Sequence, residues 1–267
     1  MSTAPATGTG SAGRWGPLWG ARPADWALSE DLQRPTYEAA LERTGLEPGW
    51  RVLDVGCGAG AFLCSVADGG AEPSGIDASA ALIEFAGRRL PTADLRVGEM
   101  EDLPWGDHTF DLVTGFNSFF FATDMIAALR EARRVAKLCS RVVIQVWGAH
   151  EHCDLEAMKQ VARPFLPPRP VDAPPDPDLS QPGLLRELAV TAGLVPEDEF
   201  DATWAFVYAD AQTLGRAMLA VAGLAVIAGP DREGELRTAI VDGLAPYRRA
   251  DGSYRLSNEY RCLIARA

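Results

Sequence analysis

The chain has 267 residues, 47% of them hydrophobic and 23% charged, with a net charge of −12. That length suits one large core, or one core with a small appendage. The acidic balance repels phosphate backbones, which argues against nucleic acid as the main partner. Five cysteines (Cys57, Cys64, Cys139, Cys153 and Cys262) are scattered, with no CxxC pair and no Cys/His cluster. Reduced thiols, no metal and a cytoplasmic location are therefore expected. No basic start followed by an apolar run marks a secretory signal.

Residues 1–13 are rich in Ala, Gly, Ser and Thr and read as a disordered tail. Residues 14–48 form a helical cap, with Trp15, Trp19 and Trp26 at its entry and a helix over 30–43 that Gly45 ends. Strands and helices then alternate through a core at 49–150. Strands are expected at 51–55, within 72–77, and at 94–98, 110–116 and 141–147. Helices are expected at 59–67, from the Ser79 cap to Leu90, and at 124–138. Apolar strands alternating with helices predict a parallel sheet covered on both faces.

Residues 151–194 read as an insert or lid. A helix over 150–165 leads to the proline-rich stretch 164–182, which cannot be regular structure, and a helix at 184–194 follows. Residues 195–267 complete the sheet, with strands at 201–209 and 259–267 and helices at 211–222 and 231–246. The most apolar run, "AMLAVAGLAVIAG" (217–229), falls short of the ~20 residues a membrane span needs. It reads as a buried helix, or alternatively as a lid over an apolar ligand, and no membrane partner is expected.

The stretch "VLDVGCGAGAF" (52–62) carries the chemistry. Gly56 and Gly58, flanking Cys57, suit a sharp turn after the first strand, and Gly58 and Gly60 let a ligand approach the main chain. The following helix points free N–H groups and a positive dipole end at the loop. Asp77, 21 positions after Gly56, ends the second strand, where a carboxylate can accept from both hydroxyls of a ribose. Gly56, Gly58 and Ala61 fit the dinucleotide pattern G-x-G-x-x-G/A. Asp54, Gly56, Gly58 and Gly60 fit D-x-G-x-G-x-G, the loop of S-adenosylmethionine (SAM) enzymes. Asp54 can orient the loop amides and answer a ligand ammonium, which SAM has and NAD lacks. Glu99, Met100 and Glu101, after the third strand, are placed to meet an adenine.

The segments "VLDVGCGAG", "GIDAS", "GEMEDLPWGDHTFDLV" and "ALREARRVAKLCSRVVI" resemble the class I SAM-dependent methyltransferases, in the small-molecule group that includes the ubiquinone/menaquinone-type enzymes. The resemblance covers roughly residues 50–147. It implies a Rossmann-like, doubly wound α/β sheet of about seven strands, mostly parallel with an antiparallel last strand, between helical caps. It also implies that Gly56, Gly58 and Gly60 line the methionine part of SAM and Asp77 holds the ribose. Ala78, Met100 and Glu101 would border the adenine, Glu99 would reach its amino group, and Asn117 would approach the sulfonium. One departure is "KLCS" (137–140), where the family often has Pro-Gly-Gly.

Methyl transfer needs positioning more than a base, and no catalytic residue stands out. His150 and His152, after the fifth strand, are candidate bases. Trp26, Tyr37 and Phe119 are candidates for the substrate side. The expected partner is a small methyl acceptor; a homodimer stays open. The alternatives are a SAM-binding protein of this fold without methyl transfer (a cyclase or binding module) and an NAD-dependent oxidoreductase.

Overall fold

The structure is a computed structural model and describes residues 10–168 and 178–267. The expected tail up to residue 9, and residues 169–177 of the proline-rich stretch, lie outside the described residues.

Three helices precede the sheet: α1 (Ser11–Trp19), α2 (Pro23–Glu30) and α3 (Arg34–Thr44). One helix over 30–43 was expected, and α1 begins inside the stretch read as a tail. Glu99 explains the earlier start. Its carboxylate accepts from Ser11 Oγ and Ala12 N–H, each at 2.9 Å, so an acid holds the positive end of α1. Helix α3 stops at Gly45, whose φ of +66° lets the chain reverse.

The alternating core follows: β1 (Arg51–Val55), α4 (Ala61–Asp68), β2 (Glu72–Asp77), α5 (Ala80–Arg89), β3 (Asp94–Val97), β4 (Phe110–Phe116), α6 (Met125–Val135) and β5 (Ala136–Trp147). Then come α7 (Leu155–Ala162), α8 (Leu184–Thr191), β6 (Val195–Tyr208), α9 (Ala211–Ala220), α10 (Leu224–Ala228), α11 (Glu233–Gly243) and β7 (Tyr254–Arg266). The seven strands form one sheet in the order β3-β2-β1-β4-β5-β7-β6. Strands β1 to β5 pair in parallel, and β7 runs antiparallel to both its neighbours. This is the doubly wound arrangement the sequence implied.

Several boundaries moved for local reasons. Helix α6 was expected to reach 138 but ends at Val135. The carbonyls of Arg134 and Val135 accept from His108 N–H and Thr109 N–H at 3.0 and 2.7 Å, and Ala136 already pairs with Phe110. The proposed helix over 150–165 is α7 between two single turns. Strand β6 starts at Val195 rather than 201. Its "VPEDEF" start is acidic and contains Pro196, which an edge strand tolerates. Arg266 and Arg261 on β7 bond Glu197 and Asp201 there, at 2.9 and 2.8 Å.

Alternation sends neighbouring strand residues to opposite faces. Leu263 packs in the core with Leu129 of α6 and Leu185 of α8, while Ile264 packs with Phe62 of α4 and Tyr37 of α3. A further apolar cluster joins α7, α9 and α11 to the outer halves of β6 and β7. The apolar run at 211–228 is long enough to cross a membrane by length and composition alone. It bends at Ala222 and Gly223, both with positive φ, and Leu214, Ala217, Met218 and Leu219 are buried, as expected of a core helix. Leu263, on the strand next to the β6 edge, is fully buried. Leu263→Ala is expected to lower unfolding stability by about 2–5 kcal/mol in a urea titration; a loss below about 1 kcal/mol would contradict this packing.

Candidate functional site

In the sheet order, β1 lies beside β4, and the chain winds outward from this pair in both directions. Ligands of such sheets bind in the crevice outside the carboxyl ends of these strands. A cavity of about 320 Å³ opens there. The sheet core supplies one wall, α1 to α3 a second, and α7, α9 and the end of β6 a third.

The glycine loop forms the floor. Gly56 and Cys57 both donate to the Ile76 carbonyl, at 2.8 and 3.0 Å, which fastens the end of β1 to β2. Gly56 has φ +78° and Gly58 φ +54°. A Cβ on Gly56 would strike Ser118, and one on Gly58 would lie 2.5 Å from Glu30 Oε2 and 3.1 Å from Trp26 Nε1. Gly60 faces elsewhere: its missing Cβ would meet Ala86 of α5 at 3.1 Å, and it does not border the cavity. Cys57 is buried there, its thiol pushed well up by burial and then by Asp77, Asp54 and Glu30.

Three carboxylates border this floor. Asp77 Oδ2 accepts from Gly58 N–H at 3.0 Å and Oδ1 from Ser79 N–H at 2.8 Å. Burial raises its pKa against those two bonds. Asp54 is buried and accepts from Thr114 Oγ1 at 2.7 Å. Burial pushes its carboxyl up to about 8, the Thr114 bond opposes that, and Glu30 and Asp77 add to it. The third was not foreseen. Glu30, at the end of α2, is 4% exposed and accepts from Ala59 N–H at 2.7 Å and Ala61 N–H at 2.8 Å. It occupies the amino end of α4. Burial pushes it up to about 7, against those amides and Arg89.

The other expected residues divide. Ala78, Met100 and Asn117 border the cavity, as do Trp26 and Tyr37. Asn117 sits after β4 with φ +54°; its Nδ2 donates to Gln33 Oε1 at 3.3 Å, while its buried Oδ1 has no partner. Glu99 and Glu101 do not border the cavity. Glu99 holds α1, and Glu101 accepts from Thr123 N–H at 2.6 Å, ahead of α6. Phe119 is 1% exposed, packed behind Gly115 in the core; Phe120 and Phe121 border the cavity instead. His150 and His152 stand outside it, both well exposed. His150 contacts Glu156 at 3.1 Å and His152 contacts Glu259 at 2.9 Å.

The sequence reading touched the third wall only through the lid alternative for 217–229. Trp147, Met158, Phe206 and Met218 line it, with Glu156 beside Lys159 as its charged pair. Met218, Val221 and Ala222 bring the end of α9 to the cavity, so this helix is both buried core and cavity wall. The N-terminal helices are fastened to the same wall. Ser29 and Tyr208 hydroxyls lie 2.9 Å apart, Arg22 pairs with Glu233 at 2.7 Å, and Arg216 Nε donates to Asp25 at 2.9 Å. Among the described residues there is no group of three or more side chains placed to hold a metal.

A methyltransferase domain family matches residues 53–144, which takes in the loop, Asp77 and Asn117. Over that stretch the chain resembles class I methyltransferases of the quinone type. A demethylmenaquinone methyltransferase of Beutenbergia cavernae is 30% identical over 131 residues, 49% of this chain and 55% of that protein. The one from Thermotoga maritima is 37% identical over 99 residues, 35% of this chain and 42% of that protein. The chain spans about half the length of the first curated relatives it matches. The [4+2]-cyclase SpnF superposes with a TM-score of 0.58 at 22% identity, covering 87% of this chain and 79% of that one. A SAM dependent methyltransferase from Aquifex aeolicus gives 0.50 at 21%, covering 66% and 90%. At these identities the likeness shows a shared fold and no more.

The raised carboxyls set a pH dependence. A carboxyl with a higher pKa folded than unfolded binds its proton more tightly in the fold, so stability falls as pH rises between the two values. For Glu30 that window runs from its ordinary 4.5 to about 7, and for Asp54 from 3.8 to about 8. One pKa unit is worth about 1.4 kcal/mol, so ionising Glu30 costs the fold on the order of 3 kcal/mol. Asp94, Asp111 and Glu131, held low by Arg and Lys partners, stay ionised throughout. The urea midpoint is expected to fall between pH 5.5 and 8, and Glu30→Gln should shrink that fall. An unchanged fall in the variant would contradict the assignment.

Proposed function

We propose that the chain is a SAM-dependent methyltransferase that acts on a small, largely apolar acceptor in the cytoplasm, with O-, N- or C-directed transfer. The observation that carries this reading is the amino end of α4. In a dinucleotide enzyme that end receives a pyrophosphate. Here Glu30 takes the Ala59 and Ala61 amides, so a diphosphate would find those donors occupied, with Asp77 beside them on Gly58 N–H. A ligand carrying an ammonium and a sulfonium suits that wall.

The residues fit SAM in other respects. Asp77 stands at the end of β2 for the ribose hydroxyls, and Ala78 and Met100 supply apolar surface for the adenine. The unpartnered Asn117 Oδ1 and the backbone at Gly56 suit the ammonium end. When bound, SAM supplies a methyl group on positively charged sulfur. The protein's part is to hold the acceptor in line, with Trp147, Met158 and Phe206 excluding water from it. The quinone-type relatives favour a ring-shaped acceptor, and the acidic charge of the chain disfavours nucleic acid.

A second reading, SAM held without methyl transfer, is favoured by one observation: both histidines expected as bases stand outside the cavity. Formation of S-adenosylhomocysteine with any acceptor in a panel of phenols, hydroquinones and amines would exclude it.

Calorimetry with SAM and with NADH is expected to show SAM binding and no NADH binding. Asp77→Asn should weaken SAM about tenfold, which is about 1.4 kcal/mol. Binding of NADH with SAM ignored would overturn the proposal.

A further inference from the structure

We infer that Gln33 is a specificity-determining residue for the methyl acceptor: its side-chain amide donates to an oxygen of the acceptor, which is therefore a ring bearing a hydroxyl or carbonyl group rather than an amine or a bare hydrocarbon. This rests on the methyltransferase reading and deepens it.

The sheet sets the place. Four strand ends border the cavity in sheet order: Asp77 on β2, Gly56 after β1, Asn117 after β4 and Trp147 on β5. Neighbouring strands lie about 4.8 Å apart, so the strand of Asn117 is about 10 Å from that of Asp77 and one spacing from that of Trp147. The acids of the floor stand on one side of Asn117, and the apolar wall begins on the other. An acceptor lying against that wall meets the cofactor at the end of β4.

Gln33 stands across from Asn117 at this junction. Trp26, Ser29, Glu30, Gln33 and Tyr37 all border the cavity, at the spacing of one helix face. The polar members have separate tasks. Ser29 is bonded to Tyr208, and Glu30 to the loop amides. Gln33 is 5% exposed. Its carbonyl accepts from Thr36 Oγ1 at 2.8 Å, and its Oε1 accepts from Asn117 Nδ2 at 3.3 Å. Neither bond uses its Nε2, which carries two donors. Two neighbouring amide atoms are buried without a partner, Asn117 Oδ1 and Gln145 Nε2, and the Gln145 carbonyl accepts from Asn117 N–H at 2.9 Å. Buried polar groups are nearly always paired in folded proteins, so uncommitted amide atoms gathered at a cavity wall point to a ligand.

An amide N–H needs a lone pair. A hydroxyl or carbonyl oxygen offers one, an ammonium offers none, and an aryl amine shares its pair with the ring. A ring lying against Trp147 with its oxygen on Gln33 is held at two points, which supplies the alignment that an in-line displacement needs.

The test uses protein loaded with S-adenosylhomocysteine and three matched ring probes, 2-naphthol, 2-naphthylamine and naphthalene, titrated by calorimetry. Wild-type protein is expected to bind 2-naphthol at least about fivefold more tightly than either of the others, the worth of one net hydrogen bond. Gln33→Met keeps the length of the side chain and removes the amide. It should bring the three probes within about twofold of one another while S-adenosylhomocysteine binds as in wild type. Gln33→Asn, a milder change that keeps an amide and shortens its reach, should also lose the preference and decides the matter if the methionine variant does not fold. Ser29→Ala is the structural control; it loosens α2 from Tyr208 and should weaken the three probes together, keeping their ratio. Equal wild-type affinities, or no binding of any probe to the loaded protein, overturn the inference and need no variant. A folded Gln33 variant that keeps the wild-type preference also overturns it, while leaving the methyltransferase reading intact. Failure of wild-type protein to bind SAM and S-adenosylhomocysteine at all overturns both.

Discussion

Burying a carboxylate away from water is unfavourable unless its oxygens are given donors, and this fold places three around one turn. Two are strand-end acids, Asp54 and Asp77, and the third comes from a helix of another layer. The donors are chiefly backbone amides of the loop: Gly58 for Asp77, and Ala59 and Ala61 for Glu30. The loop is thus braced from two sides by side chains that need it. The glycine at 58 follows from the same constraint, because the Glu30 carboxylate fills the space a side chain would use.

That brace joins parts of the chain that would otherwise be separate layers. The parallel core supplies the floor, and α7, α9 and the end of β6 supply the apolar wall. Helices α1 to α3 touch both. Glu30 and Gln33 face the core, while Ser29, Arg22 and Asp25 are bound to β6, α11 and α9. The cavity is therefore the place where three layers meet. The polar floor and the apolar far wall come from different segments, which suits a two-substrate reaction with unlike partners.

The sheet and its floor were legible in the sequence because their signals are local. Apolar runs, turn glycines and an acid 21 residues after the loop are all read along one stretch, and Gly56, Gly58, Asp77, Ala78, Met100 and Asn117, named on those signals, all border the cavity. Glu99 and Glu101 show the limit of that reading. Their position after β3 was right, but the amino ends of α1 and the segment before α6 claim their carboxylates. Phe119 and its neighbours differ only in which side of a single helical turn they occupy, and three identical residues carry no periodicity to decide it. Glu30 left no signal, since an acid on a short helix looks solvated until the partner 29 residues later is known. Met158 and Phe206 were equally silent, because their apolar character reads as core, and Met218 was signalled only by the lid alternative for its run. They are core residues, and they border the cavity at its edge.

The contacts of α2 also set an order in time. Ser29 reaches Tyr208, Asp25 reaches Arg216 and Arg22 reaches Glu233, across 179, 191 and 211 positions of sequence. Contacts this distant form late, because the intervening chain must be gathered first. During synthesis these contacts of α2 wait until β6, α9 and α11 have emerged, while those to the glycine loop can form earlier. The Rossmann-like sheet can begin to pair before then, and its glycine loop forms with it. The ligand site is thus finished when α2 meets β6, α9 and α11.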